Sequence, residues 1–381
     1  MPKRPNNDGS VGRYKDGWRA QYTDPITHKQ KSLYAKTQRD VTRKLQAKLD
    51  EIRRGAYVPA DRLTTGTWLD EWFNTFYRPT VKPSTAATTH GNICRLKEAF
   101  GTVLLQQLTA VHIQRFIRQL QAEGRTPATI KRYMKVLSQA LEQAIALRKL
   151  QENPTKAVRM PPMQRTEIRT LTAEEQRTLL EHLPDTTSAH ALQFLLGTGM
   201  RVSELCGLCW KDLREDGLHV DRTYTIVKDL DNGGSCGCYG TPKTETGKRV
   251  IPLTDTLRGI LTAQKEQQQQ DQAKCGTAWQ GPEPGSADCP IFASMVGTPL
   301  DRHNLNRSFR RLLKEANLPT RGIHALRHTF ATNWVRKSPD VVSLARVIGH
   351  SDPAFTYKTY CHTDATAMNE GMAMMEQFLQ R

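Results

Sequence analysis

Residues 321–363 read RGIHALRHTFATNWVRKSPDVVSLARVIGHSDPAFTYKTYCHT. This stretch decides the fold, because helical periodicity and phosphate-handling side chains coincide in it. Leu326, Phe330 and Trp334, then Val341, Leu344, Val347 and Ile348, recur at spacings of three and four, which predicts two amphipathic helices. His324 and Arg327 lie three apart and so share one helix face. Gly349 predicts the end of the second helix and leaves His350 at an exposed turn, where working residues concentrate. Tyr357 and Tyr360 follow closely enough to fold back onto the same pocket. Arginine and histidine bind phosphate, and tyrosine can attack it.

Upstream, residues 197–213 read GTGMRVSELCGLCWKDL. Gly197 and Gly199 permit a tight bend before Arg201, and Glu204 follows three residues later, while Leu205, Leu208 and Trp210 supply helix core. On its own the Arg201–Glu204 pair also fits a surface ion pair worth less than about half a kcal/mol. Strand-like runs at 218–228 and 248–253 flank DLDNGGSCGCYGTPKTETG, which carries Lys243, with Lys248 just after it. The run GTPKTETGKR is not a nucleotide-binding loop. Six residues separate Gly240 from Gly247, and Arg249 stands where a serine or threonine is needed.

Residues 266–290, EQQQQDQAKCGTAWQGPEPGSADCP, read as a low-complexity excursion without order. A basic helix, NLNRSFRRLLKEA, is expected over 304–316, and Met368, Met372, Met375 and Leu379 give the C-terminal tail helical spacing.

Toward the N-terminus, residues 1–62 are rich in Lys and Arg. They suggest short strands (WRAQYT, KQKSLYA) and a helix from about Thr37 to Arg54, with Trp18, Tyr22 and Tyr34 as the apolar body of a small sheet. Trp68, Trp72 and Phe76 then recur every four residues, an amphipathic stripe. Further helices are expected over 84–100, 110–123 and 128–147, the last leaving Lys131, Arg132 and Lys135 off its apolar face. The aperiodic, proline-rich and basic stretch 153–170 reads as a hinge, and Thr172 with Glu175 forms a capping box that opens a new helix. The division is therefore 1–62, 63–158 and 168–381.

The chain has 381 residues and a formal net charge of +17, spread along its length, which implies a polyanionic partner. It contains no apolar run of membrane-spanning length, and its start has no signal-peptide core, so a cytoplasmic location is expected. Eight cysteines over this length suit a reducing compartment. Cys206, Cys209, Cys236 and Cys238 could be read as four zinc ligands, but the leucine-bearing context of the first two favours core packing.

His324-x-x-Arg327, Leu344-x-x-x-x-Gly349-His350-Ser351 and Tyr360-x-His362 together resemble the catalytic C-terminus of the tyrosine recombinases, the phage-integrase family. The resemblance implies an arm-site-binding sheet-plus-helix module, a four-helix core-site-binding domain and a mainly helical catalytic domain with a small sheet, the fold shared with type IB topoisomerases. It implies the catalytic residues Arg201, Lys243, His324, Arg327, His350 and Tyr360, with Glu204 as a supporting carboxylate and no metal or other cofactor. Two arginines would clamp the phosphate, Tyr360 would attack it with His324 taking its proton, Lys243 would protonate the leaving 5′ oxygen, and His350 would order the site. His328 would pack, and His362 would mark the turn after the tyrosine. The implied partner is double-stranded attachment-site DNA, held by a homotetramer, with an excision factor and a host DNA-bending protein as accessory partners near the bacterial nucleoid. The rival readings are a DNA-relaxing type IB topoisomerase and a DNA-binding regulator without catalysis.

Overall fold

The computed structural model describes residues 9–25, 28–54, 62–163, 169–242, 245–338 and 340–360, together with Glu376. The chain forms two compact units, Met1–Arg165 and Thr166–Arg381.

The first unit opens with an antiparallel meander of β1 (Ser10–Tyr14), β2 (Gly17–Thr23) and β3 (Gln30–Ala35). Its register sets Ala20 opposite Val11 and Leu33, and Trp18 opposite Ala35. These residues therefore face one way, onto Val41 and Leu45 of α1 (Gln38–Arg53), whose first turn is capped by the Thr37 hydroxyl. Tyr34 departs from the expected apolar body. Strand alternation sends Leu33 inward and Tyr34 outward, where it is 52% exposed beside Tyr14, 5.5 Å between ring centroids. The Arg19 guanidinium lies over the same Tyr14 ring at 5.0 Å.

The unit continues through α2 (Thr65–Trp72), α3 (Pro83–Phe100), α4 (Ala110–Ala122) and α5 (Pro127–Ala146). Threonine hydroxyls at 64, 109 and 126 cap α2, α4 and α5, and prolines open α3 and α5, so these boundaries follow local chemistry. Trp68 is fully buried and donates its indole N–H to the Ala140 carbonyl at 2.8 Å. Phe100 and Phe116 meet edge-on at 5.1 Å. Lys131, Arg132 and Lys135 are exposed on the opposite face of α5.

The second unit begins with α6 (Ala173–Glu181), held by the Thr172–Glu175 capping box, then α7 (Thr187–Thr198) and the single turn α8 (Val202–Leu205). Short strands follow: β4 (Leu213–Arg214), β5 (Gly217–Val220), β6 (Thr223–Lys228), β7 (Ser235–Gly240) and β8 (Arg249–Ile251). They make two antiparallel sheets, β4-β5-β8 and the hairpin β6-β7. Five helices complete the unit among the described residues: α9 (Asp255–Cys275), α10 (Arg302–Glu315), α11 (His324–Lys337), α12 (Val341–Ile348) and α13 (Pro353–Tyr360). Phe194, Phe292, Phe309, Leu205 and Leu326 lie in one shared core.

The glutamine-rich stretch is ordered, contrary to the expectation of an excursion. It extends α9, and Gln264 and Gln268, one turn apart, are almost fully buried. Gln268 donates to the carbonyls of Pro290 (2.5 Å) and Ile291 (3.0 Å) and accepts from the Trp210 indole. Low complexity concealed a helix whose inward glutamines pair with buried polar groups, Gln264 with His190 and Thr187.

Candidate functional site

Every described candidate residue of the site comes from α7–α8, the β7–β8 region, or the three helices α11 to α13. Helix α7 ends at Gly199 with φ of 62°, and a Cβ there would stand 2.3 Å from the Phe330 ring of α11. Only glycine fits this turn, which delivers Arg201 to the site. Gly197 is helical; its role is close packing on Leu257 rather than the bend.

Arg201 donates to Glu204 Oε1 (2.7 Å) and to the Gly349 carbonyl (2.9 Å), with 31% of its side chain exposed. Glu204 is 1% exposed, so the pair is not a surface one. Its other oxygen accepts from Arg249 Nη2 at 2.8 Å. Arg249 also donates from Nε to the Val347 carbonyl (2.6 Å) and from Nη1 to the Gly247 carbonyl (3.0 Å). Burial raises the Glu204 carboxyl, but Arg249 and Arg201 outweigh it and hold the group below the usual carboxylate range. Arg249 is a site residue that the sequence reading missed. The available signal was strand alternation, which turns it inward beside Ile251.

Helix α11 presents His324, Arg327 and His328 within one turn. Arg327 is 3% exposed, and its Nη1 donates to the Gly199 carbonyl at 3.0 Å. Its Nη2 is buried with no hydrogen-bond partner among the described residues. Burial, reinforced by Arg201, pushes this guanidinium down to about 10. His324 is exposed and meets the His328 ring edge-on at 4.6 Å. Crowding by protein atoms and then Arg327 and Arg201 push His324 below its ordinary value.

Tyr360, at the end of α13, is 8% exposed, whereas Tyr357 is 57% exposed. The Tyr360 hydroxyl lies 2.8 Å from His328 Nδ1. His328 was expected only to pack, and His324 to serve the tyrosine; the ring hydrogen-bonded to Tyr360 is His328. On the other side His350 lies nearly parallel to Tyr360, 6.4 Å between centroids, and its Nδ1 pairs with the Thr356 hydroxyl at 2.8 Å. Gly349 has φ of 70° and ends α12 as expected. Burial, then neighbouring cations, push both His328 and His350 down to about 4, so both rings are neutral near pH 7. Burial raises the Tyr360 phenol, with Arg327 and Arg201 acting against it.

Lys243 and His362 lie outside the described residues, as does the tail apart from Glu376. Lys248 is exposed and lines a cavity of about 500 Å³ with Thr246, Arg346 and His350. Among the described residues no group of three or more His, Cys, Asp or Glu is placed to hold a metal ion. Cys206 and Cys209 are buried, and Cys236 and Cys238 face each other at 3.6 Å on β7. No helix among the described residues is long and apolar enough to cross a membrane.

The sequence profile of the phage integrase family matches residues 169–367, more than half of the chain. That of the phage integrase N-terminal SAM-like domain matches residues 64–121. A XerC-like tyrosine recombinase of Caldanaerobacter subterraneus subsp. tengcongensis is 29% identical over 352 residues, covering 87% of this chain and 88% of the relative. An integrase of Streptomyces ambofaciens is 23% identical over 363 residues, covering 91% and 88%. In fold, the chain is similar to the Tn1549 transposon integrase solved with circular intermediate DNA (TM-score 0.65, 22% identity, 82% of this chain and 99% of that one). It is also similar to a lambda integrase tetramer solved on a Holliday junction (TM-score 0.58, 20% identity, 94% and 96%). On the profile match, this chain belongs to the phage integrase family.

Proposed function

We propose that the chain is the integrase of a phage or other mobile element, a tyrosine recombinase that cuts and rejoins DNA through a 3′-phosphotyrosyl intermediate. The observation that carries this reading is Tyr360, buried against two neutral histidines beside a buried arginine whose Nη2 has no protein partner. A backbone phosphate would supply that partner. Arg201 and Arg327 would bind the non-bridging oxygens and the charge that builds on them in the transition state. Glu204 orients Arg201, and His324 and His350 border the phosphate position. The Tyr360 oxygen attacks phosphorus, the bond to the 5′ oxygen breaks, and Lys243 protonates that oxygen. A 5′-hydroxyl from another duplex then reverses the step and exchanges strands without external energy.

In the same reading residues 1–62 bind arm sites, 63–158 grip the core site and 168–381 carry catalysis. The outward row of Tyr14, Arg19 and Tyr34 suits a DNA groove, and Lys131, Arg132 and Lys135 suit backbone phosphates. The working assembly is a tetramer on two duplexes in the bacterial cytoplasm, as in the lambda integrase complex on a Holliday junction. An excision factor and a host bending protein would set direction.

Covalent trapping on DNA from the ends of the element tests the reading. Tyr360→Phe is expected to bind DNA and form no adduct, while Tyr357→Phe retains it. An adduct that survives in Tyr360→Phe and vanishes in Tyr357→Phe removes the assignment. Strand exchange between two duplexes, rather than relaxation alone, separates a recombinase from a topoisomerase.

A further inference from the structure

Attack by a tyrosine requires its proton to go somewhere, and the geometry restricts the receiving atom. Around the Tyr360 hydroxyl, His328 Nδ1 is at hydrogen-bond distance, 2.8 Å, with ring centroids 5.6 Å apart. His324 meets the His328 ring edge-on, 4.6 Å between centroids. His350 is stacked beside the phenol ring and its Nδ1 is engaged by Thr356.

We propose that His328 Nδ1 takes the Tyr360 proton as the phenol oxygen bonds to phosphorus, and returns it when the phosphotyrosyl bond is broken. The proposal rests on Tyr360 being the nucleophile. In the forward step the O–H bond of Tyr360 breaks, its oxygen forms the bond to phosphorus, and the proton becomes the Nδ1 proton of an imidazolium. The bond from phosphorus to the 5′ oxygen breaks, and that oxygen is protonated by a separate acid. In the reverse step a 5′-hydroxyl gives its proton to the conjugate base of that acid as its oxygen bonds to phosphorus, the phosphorus–phenol oxygen bond breaks, and the imidazolium returns its proton to the departing phenolate. The same nitrogen thus serves as base and then as acid, as microscopic reversibility requires.

The electrostatics give this base a condition. Burial, His324 and the Arg327 guanidinium all hold His328 neutral and weakly basic in the free protein. A phosphate placed between Arg201 and Arg327 compensates those cations, so the imidazolium becomes easier to form once DNA is bound. The tyrosine stays protonated until its target is in place.

The test is single-turnover adduct formation by the full chain on nicked duplex DNA from the ends of the element. His328→Asn keeps a hydrogen-bonding side chain but not a base, and should form adduct about a hundredfold more slowly or worse, with DNA binding unchanged. Trifluorotyrosine at position 360 is a far more acidic phenol and should restore about tenfold or more of that loss, with little effect on the unsubstituted chain. A bridging sulfur at the 5′ position, which helps only the leaving group, should not restore it. As a variant that preserves ring packing, Nδ1-methylhistidine at position 328 should fail like His328→Asn, while Nε2-methylhistidine should work. Cleavage by His328→Asn within about threefold of the unsubstituted rate overturns the proposal. So does a defect that the acidic tyrosine leaves in place, or a rescue seen for His324→Asn instead. An adduct formed by Tyr360→Phe would remove the nucleophile assignment itself, a separate result read in the same assay.

Discussion

Two buried arginines of the second unit, Thr166–Arg381, have opposite surroundings. Arg249 has 6% of its side chain exposed, and its three nitrogens meet a carboxylate and two carbonyls. Arg327 is 3% exposed, yet it donates from Nη1 to the Gly199 carbonyl, leaves Nη2 unmatched among the described residues and is pushed down to about 10. The first cation is compensated inside the protein and acts as a structural tie. The second is held at a cost in solvation, and that cost falls when an anion arrives. Burial alone does not distinguish the two charges; the partners that meet each guanidinium do.

Matched substitutions can break this contrast. Arg327→Met should lower single-turnover cleavage by about a hundred- to a thousandfold, as for loss of one transition-state donor, while thermal unfolding shows the melting temperature unchanged or raised. A folded variant that still cleaves at the unsubstituted rate would place Arg327 with the structural residues. Arg249→Met should do the reverse and destabilise the unit by about 3 kcal/mol in urea titration, because it strips one partner from buried Glu204. Activity should then follow the folded fraction.

Acid distinguishes the two pockets by pH range. His328 and His350 are pushed down to about 4, below the ordinary value of about 6.5, so the unfolded chain binds more protons between those limits. Stability is therefore whole above about pH 6.5 and declines as pH falls toward 4, by something on the order of 2 kcal/mol after allowing for partial exposure. Glu204 is lowered instead. Its contribution stays intact down to the ordinary carboxylate value of about 4.5 and is lost as pH falls from there through its depressed value. Urea midpoints from pH 7 to 3 should show the histidine loss first, and His328→Gln should shrink it. The smallest expected effect is anion binding. Inorganic phosphate at ten times its dissociation constant should stabilise the protein by about 1.4 kcal/mol, and Arg327→Met should remove that gain.

Much of this was readable in the chain. The stripe of Trp68 and Trp72, the Thr172–Glu175 capping box and the Gly349 helix end are local signals, and each sits where periodicity placed it. The signals that failed depend on distant partners or on facing. Arg249 gains its meaning from Glu204, 45 residues earlier, and Val347, 98 residues later. His328 is one turn beyond His324 on the same helix, and only the return of α13 shows which ring Tyr360 meets. Tyr34 has strand propensity either way, and register alone sends it outward. The glutamines of α9 look like solvated low complexity until two of them, one turn apart, are found buried, Gln268 on backbone carbonyls and Gln264 on the His190 and Thr187 side chains.

The grip of Arg249 also fixes how this protein can be spliced with its relatives. One guanidinium joins the Gly247 carbonyl, close in sequence to Lys243, to the Val347 carbonyl, three residues before His350. A chimera whose junction falls between 249 and 347 inherits the arginine from one parent and the carbonyl it must meet from another. A junction placed ahead of α7 transfers Glu204, Arg249 and Val347 together, with the Gly199 turn and the Phe330 ring packed on it, so the exchangeable block begins before the first arginine and not at the tyrosine.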